Sequence, residues 1–249
     1  MGGRGSVSKM MDTSNEERKK ERKKINDKMT EFPDKAEKAS WFGSMQYKGD
    51  GKEQVKFFKD NSNAYQTIDN MSREEVDAFQ AWTRGSFMTP SVWNGWDNMD
   101  SSQQRYTRIY DRILDNATLT KGLIVNRLAD AHLLIGKKAV SSLSQLRSLE
   151  GNLLTVKSFM SCAAASEGLH IGDTNKNVQL RIHIPSGSKG AGMWVGHEKI
   201  NGWGVRQREF MTNRDIVVRI GKSTYDSSSG VYTVNVYYES RTAHDYGKR

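Results

Sequence analysis

The run Gln207-Arg208-Glu209 sets a carboxamide and a carboxylate two positions apart, immediately before the apolar pair Phe210-Met211. On an extended strand, residues two apart share a side, so Gln207 and Glu209 are expected on one face and Arg206 and Arg208 on the other. A fixed carboxylate favours a reacting centre that turns cationic, because its attraction grows as the charge develops. A glutamine both accepts and donates, which suits a neutral acceptor such as an asparagine amide or the edge of a nucleobase. Arg127 follows the apolar Leu123-Ile124-Val125-Asn126, and its permanently charged fork matches a diphosphate. Ser161 stands in the strand-like Phe159-Met160-Ser161-Cys162-Ala163, with a hydroxyl that donates and accepts at once.

Singly, each of these has an ordinary reading. Gln-x-Glu is a common solvent-facing pair, Arg127 an ion-pair member, Ser161 a hydroxyl bonded to backbone, and residues 185–191 a turn. Cys162 has no His and Asp partner in its sequence context, so it reads as a small buried residue and not a nucleophile.

In order and spacing, Arg127, Ser161-Cys162-Ala163, the turn at 185–191 and Gln207-Arg208-Glu209 resemble the arginine, Ser-Thr-Ser and Gln-x-Glu signature of bacterial and phage mono-ADP-ribosyltransferases, the fold of the clostridial Rho-modifying exoenzymes. Upstream, Trp82-Thr83-Arg84-Gly85-Ser86-Phe87 looks like the family's Tyr-Thr-Gly-Ser-Gly-Tyr stretch, and Trp93-Asn94 like the Ile-Asn that follows. The likeness covers residues 60–238. It implies that NAD is the substrate, with no metal, and that ADP-ribose passes to a host protein or nucleic acid. Glu209 would then hydrogen-bond the ribose 2′-hydroxyl, Ser161 would position Glu209 and the nicotinamide ribose, and Arg127 would hold the pyrophosphate, with Asn94 and Arg84 as further NAD contacts. Gln207 and the loop residue Trp203 would meet the target. Relatives that modify arginine usually carry a second glutamate at the Gln207 position, so the acceptor implied here is asparagine-like or a nucleobase. Two departures stand out. Cys162 and Ala163 replace two hydroxyls of Ser-Thr-Ser, and Asp97 lies where some relatives place a phosphate-binding arginine.

The elements that must position these residues are legible in the pattern. Ser72-Arg73-Glu74-Glu75 reads as a helix start with a capping box. Residues 101–117 carry Tyr106, Ile109, Tyr110, Ile113, Leu114 and Ala117 as one apolar stripe, the mark of a second helix. From Leu123 onward, short apolar runs at 123–125, 153–160, 178–184, 192–195, 209–211, 216–220 and 231–238 read as strands. Helices first and strands later predict an α+β domain, and the resemblance sharpens this to N-terminal helices packed on a split antiparallel or mixed β-sandwich. Residues 1–45, with the mixed-charge block around Glu16–Lys24, are expected to be a charged, flexible extension, and residues 46–249 the catalytic domain.

Composition narrows the class. A net charge of +9 favours an acidic or phosphate-bearing partner. One cysteine cannot form an internal disulfide and gives no zinc pattern. No apolar run approaches the roughly 18 residues of a membrane span, and no secretory stretch opens the chain, so a soluble protein is expected, cytoplasmic in the producing cell or delivered to a target cell. Three other functions share some of these features. They are an NAD glycohydrolase, a phage-derived structural protein keeping the fold without catalysis, and a basic nucleic-acid-binding module.

Overall fold

The computed structural model describes residues 29–38, 45–47, 49–84, 95–129, 131–136, 139–168, 177–200 and 207–247. Asn94, Trp203 and Arg206 lie outside them, as does the charged block before residue 29.

The helices come first. α1 (Lys52–Asn61), α2 (Ala64–Asp69), α3 (Arg73–Arg84) and α4 (Ser101–Leu114) precede most of the sheet. The capping box expected at Ser72 is present: the Ser72 amide donates to Glu75 Oε2 at 2.7 Å, and the Glu75 amide donates to Ser72 Oγ at 3.3 Å. The apolar stripe of α4 is buried at Ile109, Tyr110, Ile113 and Leu114. Its Tyr110 hydroxyl donates to Ala78 O of α3 at 2.5 Å, locking the two helices together. The helix stops at Leu114, three residues short of the expected end, because the chain from Ala117 to Leu119 turns to bond the segment at 188–190.

Strands β3 (Leu123–Ala129), β4 (Leu153–Val156), β5 (Met160–Ala163), β6 (Val178–Ile184), β7 (Gly192–Trp194), β8 (Glu209–Thr212), β9 (Ile216–Asp226) and β10 (Val231–Arg241) form a mixed sheet in the order β4-β9-β10-β6-β3-β5-β8-β7. Only β6 and β10 pair in parallel among the described strands. The sheet is split, since β3 meets β5 through the single pair Asn126 and Ala163. This gives five strands on one side of the junction and three on the other. The run 153–160, read as one strand, is two for the same reason: β4 pairs with β9 in the larger half, and β5 with β8 in the smaller. Helices α5 (His132–Ile135) and α6 (Leu143–Arg147) lie between β3 and β4 in sequence.

Period-two alternation on β6 buries Val178, Leu180, Ile182 and Ile184, while Arg181 on the opposite face bonds Asn235 and a carboxylate from the N-terminal segment, Glu31. Phe58 of α1 stacks on Trp194 of β7 at 4.6 Å, which seats the helices on the smaller half-sheet. Residues 29–34, assigned by sequence to the extension, pack onto the domain: Phe32 is core, and the Thr30 amide donates to Gly122 O at 2.9 Å. β1 (Ala36–Lys38) and β2 (Met45–Tyr47) pair as a short antiparallel ribbon between this segment and α1.

A buried ionic knot ties the C-terminal segment to α4. Arg214 donates Nε and Nη2 to the two oxygens of Asp111 at 2.8 and 2.7 Å. His244 meets Asp215 and Asp115 at 3.1 and 3.0 Å. Among the described residues no helix is long and apolar enough to cross a membrane.

Candidate active site

Glu209 opens β8 at the end where β5, β8 and the last turn of α3 converge. Its side chain is 4% exposed. Oε1 accepts from Ser161 Oγ at 2.8 Å and from the Trp82 indole Nε1–H at 3.2 Å. Oε2 is buried and has no hydrogen-bond partner among the described residues. The strand register explains the first contact: Ala163 is opposite Glu209 and Ser161 opposite Met211, so Ser161 is the diagonal neighbour of Glu209 on the same face. Trp82 is held by edge-to-face contacts with Phe159 and Tyr110 at 5.9 and 6.1 Å between centroids, which fixes the direction of its N–H.

Burial raises the Glu209 carboxyl above its ordinary 4.5, against the opposing pull of the Ser161 and Trp82 hydrogen bonds and the Arg127 charge. A carboxylate with one oxygen clamped and the other bare is poised to receive a hydroxyl or face a cation, at a cost in stability when empty.

Arg127 joins the group through the same serine. Its Nη1 donates to Ser161 O at 2.7 Å, so Ser161 bonds the arginine with its carbonyl and the glutamate with its hydroxyl. The backbone beneath Arg127 is closely approached by Gly168, where a Cβ would stand 2.2 Å from Leu128 N and 2.9 Å from Arg127 Cα. Only glycine fits there.

Arg127, Ser161 and Glu209 are therefore brought together from three strands. Gln207 is placed differently from expectation. It lies in a turn, and Arg208 has φ 52°, in the left-handed region, so the strand begins only at Glu209 and its alternation does not extend back to Gln207. Gln207 is half-buried beside the site. Arg208, expected on an outward face, is instead 1% exposed. Arg84 is exposed at the end of α3 and donates to Gln80 Oε1 at 3.4 Å. Two helical positions separate it from Trp82, about 200° around the axis, so it does not point with Trp82 toward Glu209. The turn at 185–191 packs against the segment after α4 through Leu119 N to Ser188 O at 3.0 Å.

Cys162 alternates away from Ser161 into the core, where burial pushes its thiol up to about 12, in keeping with a packing role. Trp82 and Gly168 carry the site without having been singled out for it. The three-residue spacing from Phe79 places Trp82 on the buried face of α3, where an indole N–H needs a partner. Gly168 has no local signal, because its constraint comes from a strand distant in sequence. Among the described residues no group of three or more His, Cys, Asp or Glu side chains is placed to hold a metal ion.

Helices leading into a split sheet, with a buried glutamate at the junction of its halves, make the fold that of the ADP-ribosyltransferase toxins. Plx2a, an ADP-ribosyltransferase toxin from Paenibacillus larvae, superposes with a TM-score of 0.62 at 17% identity, over 77% of this chain and 97% of that one. C3stau2 from S. aureus, solved with NAD, gives 0.62 at 11% identity over 76% and 96%. The Clostridium limosum C3 exoenzyme gives 0.62 at 11% identity over 86% and 98%. No family profile and no curated protein sequence matches the chain.

Proposed function

We propose that this protein cleaves the bond between nicotinamide and ribose in NAD and transfers ADP-ribose to a macromolecular acceptor. The observation that carries this reading is the Glu209 carboxylate, buried, clamped through Oε1 by Ser161 and Trp82, and bare at Oε2. As the glycosidic bond breaks, its electron pair leaves with the nicotinamide nitrogen and the ribose carbon becomes cationic. Glu209 stabilises that charge and takes the 2′-hydroxyl as a donor to Oε2. The acceptor's nucleophile then bonds the ribose carbon and releases its proton. Ser161 and Trp82 hold the carboxylate so that no reorganisation is needed at the moment of reaction.

Arg127 supplies a permanent positive charge beside the same site and suits the pyrophosphate. Gln207, in the turn before Glu209, is our candidate for meeting the acceptor, on the strength of its sequence position. Its neutral carboxamide favours an asparagine-type amide or a nucleobase over a guanidinium. Asn94 and Trp203 are proposed as NAD and target contacts on sequence grounds alone.

Incubation of labelled NAD with the protein and a host-cell extract tests the reading. Label retained on macromolecules, and lost in Glu209→Ala, is the expected result. Free ADP-ribose with no retained label would replace transfer by hydrolysis, and nicotinamide release unaffected by Glu209→Ala at saturating NAD would remove Glu209 from the chemistry.

A further inference from the structure

The residue between Gln207 and Glu209 is a buried arginine. Arg208 reaches away from the site into a cradle built by the N-terminal segment. Its Nη2 donates to Gly49 O at 3.2 Å, its guanidinium lies 3.8 Å from Asp34 Oδ1, and it stands 5.9 Å from the centre of the Tyr47 ring. Gly51, whose φ of 68° itself calls for glycine, also leaves room for the guanidinium: a Cβ there would come within 2.7 Å of Arg208 Nη1.

The cradle is itself fastened to the segment that follows β5. Asp34 Oδ2 accepts from Gln54 Nε2 at 2.6 Å, and the same Gln54 Nε2 donates to Ala164 O at 3.2 Å. Ser166 donates to Asp34 O through both its amide and its hydroxyl, at 3.2 and 2.9 Å. The Ala164 amide closes the circuit by donating to Arg208 O at 2.8 Å.

A left-handed φ of 52° is costly for a residue with a Cβ and persists only where the surroundings hold it. Here the holding element is the side chain of the same residue. A long cation is an expensive group to bury, and here it is buried within the turn that starts β8.

We propose that Arg208 is a positioning residue for the transferase site: clamped by Asp34, Tyr47 and Gly49, it holds the Gln207–Arg208 turn so that Glu209 enters β8 aimed at Ser161 and Trp82. The residue 34–51 segment thereby becomes part of the catalytic apparatus although none of its described side chains is bonded to Glu209. This inference rests on the NAD chemistry proposed above.

Three variants of the full chain test it: Arg208→Gly, Arg208→Lys and Asp34→Asn. Glycine is at ease at positive φ, so Arg208→Gly keeps the turn's preferred conformation and removes only the anchor. The expected result is a fall in kcat for nicotinamide release of about tenfold or more, since small displacements of a catalytic group are costly, with KM for NAD changed by less than about twofold because Arg127 is untouched. Arg208→Lys restores part of the loss, and Asp34→Asn shows a smaller fall of the same kind. Hydrogen exchange at the Ala164 and Val195 amides, which donate to Arg208 O and Glu209 O, rises in Arg208→Gly independently of any NAD chemistry.

Wild-type kcat in Arg208→Gly overturns the proposal, as does an equal rise in KM and fall in kcat that lysine does not rescue. Should the wild-type protein release no nicotinamide, the functional reading fails, while unchanged exchange at Ala164 and Val195 would separately show that Arg208 anchors nothing.

Discussion

Ser161 Oγ donates to Glu209 Oε1 across 2.8 Å from the diagonal position on the neighbouring strand, and it is the one hydroxyl retained where the resembling family carries three. Of the other two positions, Cys162 faces the core and Ala163 offers no hydroxyl, while Trp82 from α3 supplies the second donor to Oε1.

Ser161→Ala removes a donor that favours the ionised glutamate, so the Glu209 carboxyl rises further above 4.5. The acid limb of the pH profile for nicotinamide release moves to higher pH, and kcat at neutral pH falls by about 10- to 100-fold. A profile superimposable on wild type would show that Ser161 does not govern the carboxylate.

Glu209→Gln is expected to stabilise the fold at neutral pH. Burial holds Glu209 above 4.5 despite its hydrogen bonds and Arg127. A carboxyl raised on folding contributes stability that is fully present below its unfolded value and is lost as pH rises through the folded value. Urea unfolding of the two proteins therefore diverges as pH increases from about 4 toward neutrality, with the glutamine variant higher. The same variant releases no nicotinamide.

Trp82→Phe keeps an aromatic ring against Phe159 and Tyr110 but deletes the N–H that reaches Glu209. Stability changes by about 1 kcal/mol, while kcat falls by about tenfold. An effect on stability alone, measured by thermal unfolding beside the rate, would mark Trp82 as packing only.

Gly168→Ala forces a methyl into the backbone of Arg127 and Leu128. The displacement acts on the arginine, so KM for NAD rises by about tenfold with a smaller change in kcat, read by steady-state kinetics. Wild-type KM would dissociate Arg127 from NAD binding.

Asp111→Ala removes the two-pronged partner of the buried Arg214 guanidinium, which keeps Asp215 at 3.3 Å, and costs about 2 kcal/mol of stability in urea unfolding. The same knot also makes part of the stability pH-dependent on the acid side. Burial works against the Asp215 charge, yet the His244 hydrogen bond and the charges of Arg214 and Lys157 outweigh it and hold this carboxyl below 3.8. A depressed carboxyl contributes stability present above its unfolded value and lost as pH falls through the folded one, so the Asp215 contribution disappears below 3.8.

Local rules sufficed where one residue's partner lies within a turn or a strand's own period. Ser72 and Glu75 cap α3 because both groups sit within four residues, and β6 runs from Val178 to Ile184 as its alternation indicates. Longer-range pairing altered the rest. β9 continues to Asp226 through the polar Gly221-Lys222-Ser223-Thr224 because β10 pairs with it along that length. The helix α1, whose Phe58 packs on Trp194 and Phe210 of the smaller half-sheet, has no side-chain hydrogen bond at its N-cap to mark its start locally.

By itself the sequence determined which groups were available and in what order: a diphosphate-matching arginine, a strand serine, a carboxamide and a glutamate, on an α+β chain of helices then strands. Tertiary structure alone decided that Ser161 would bond both Arg127 and Glu209, that Trp82 would complete the carboxylate's shell, and that Arg208 would turn inward. Those contacts join residues separated by 34 to 159 positions, and such distances are closed by the packing of whole strands and helices, which no local spacing encodes.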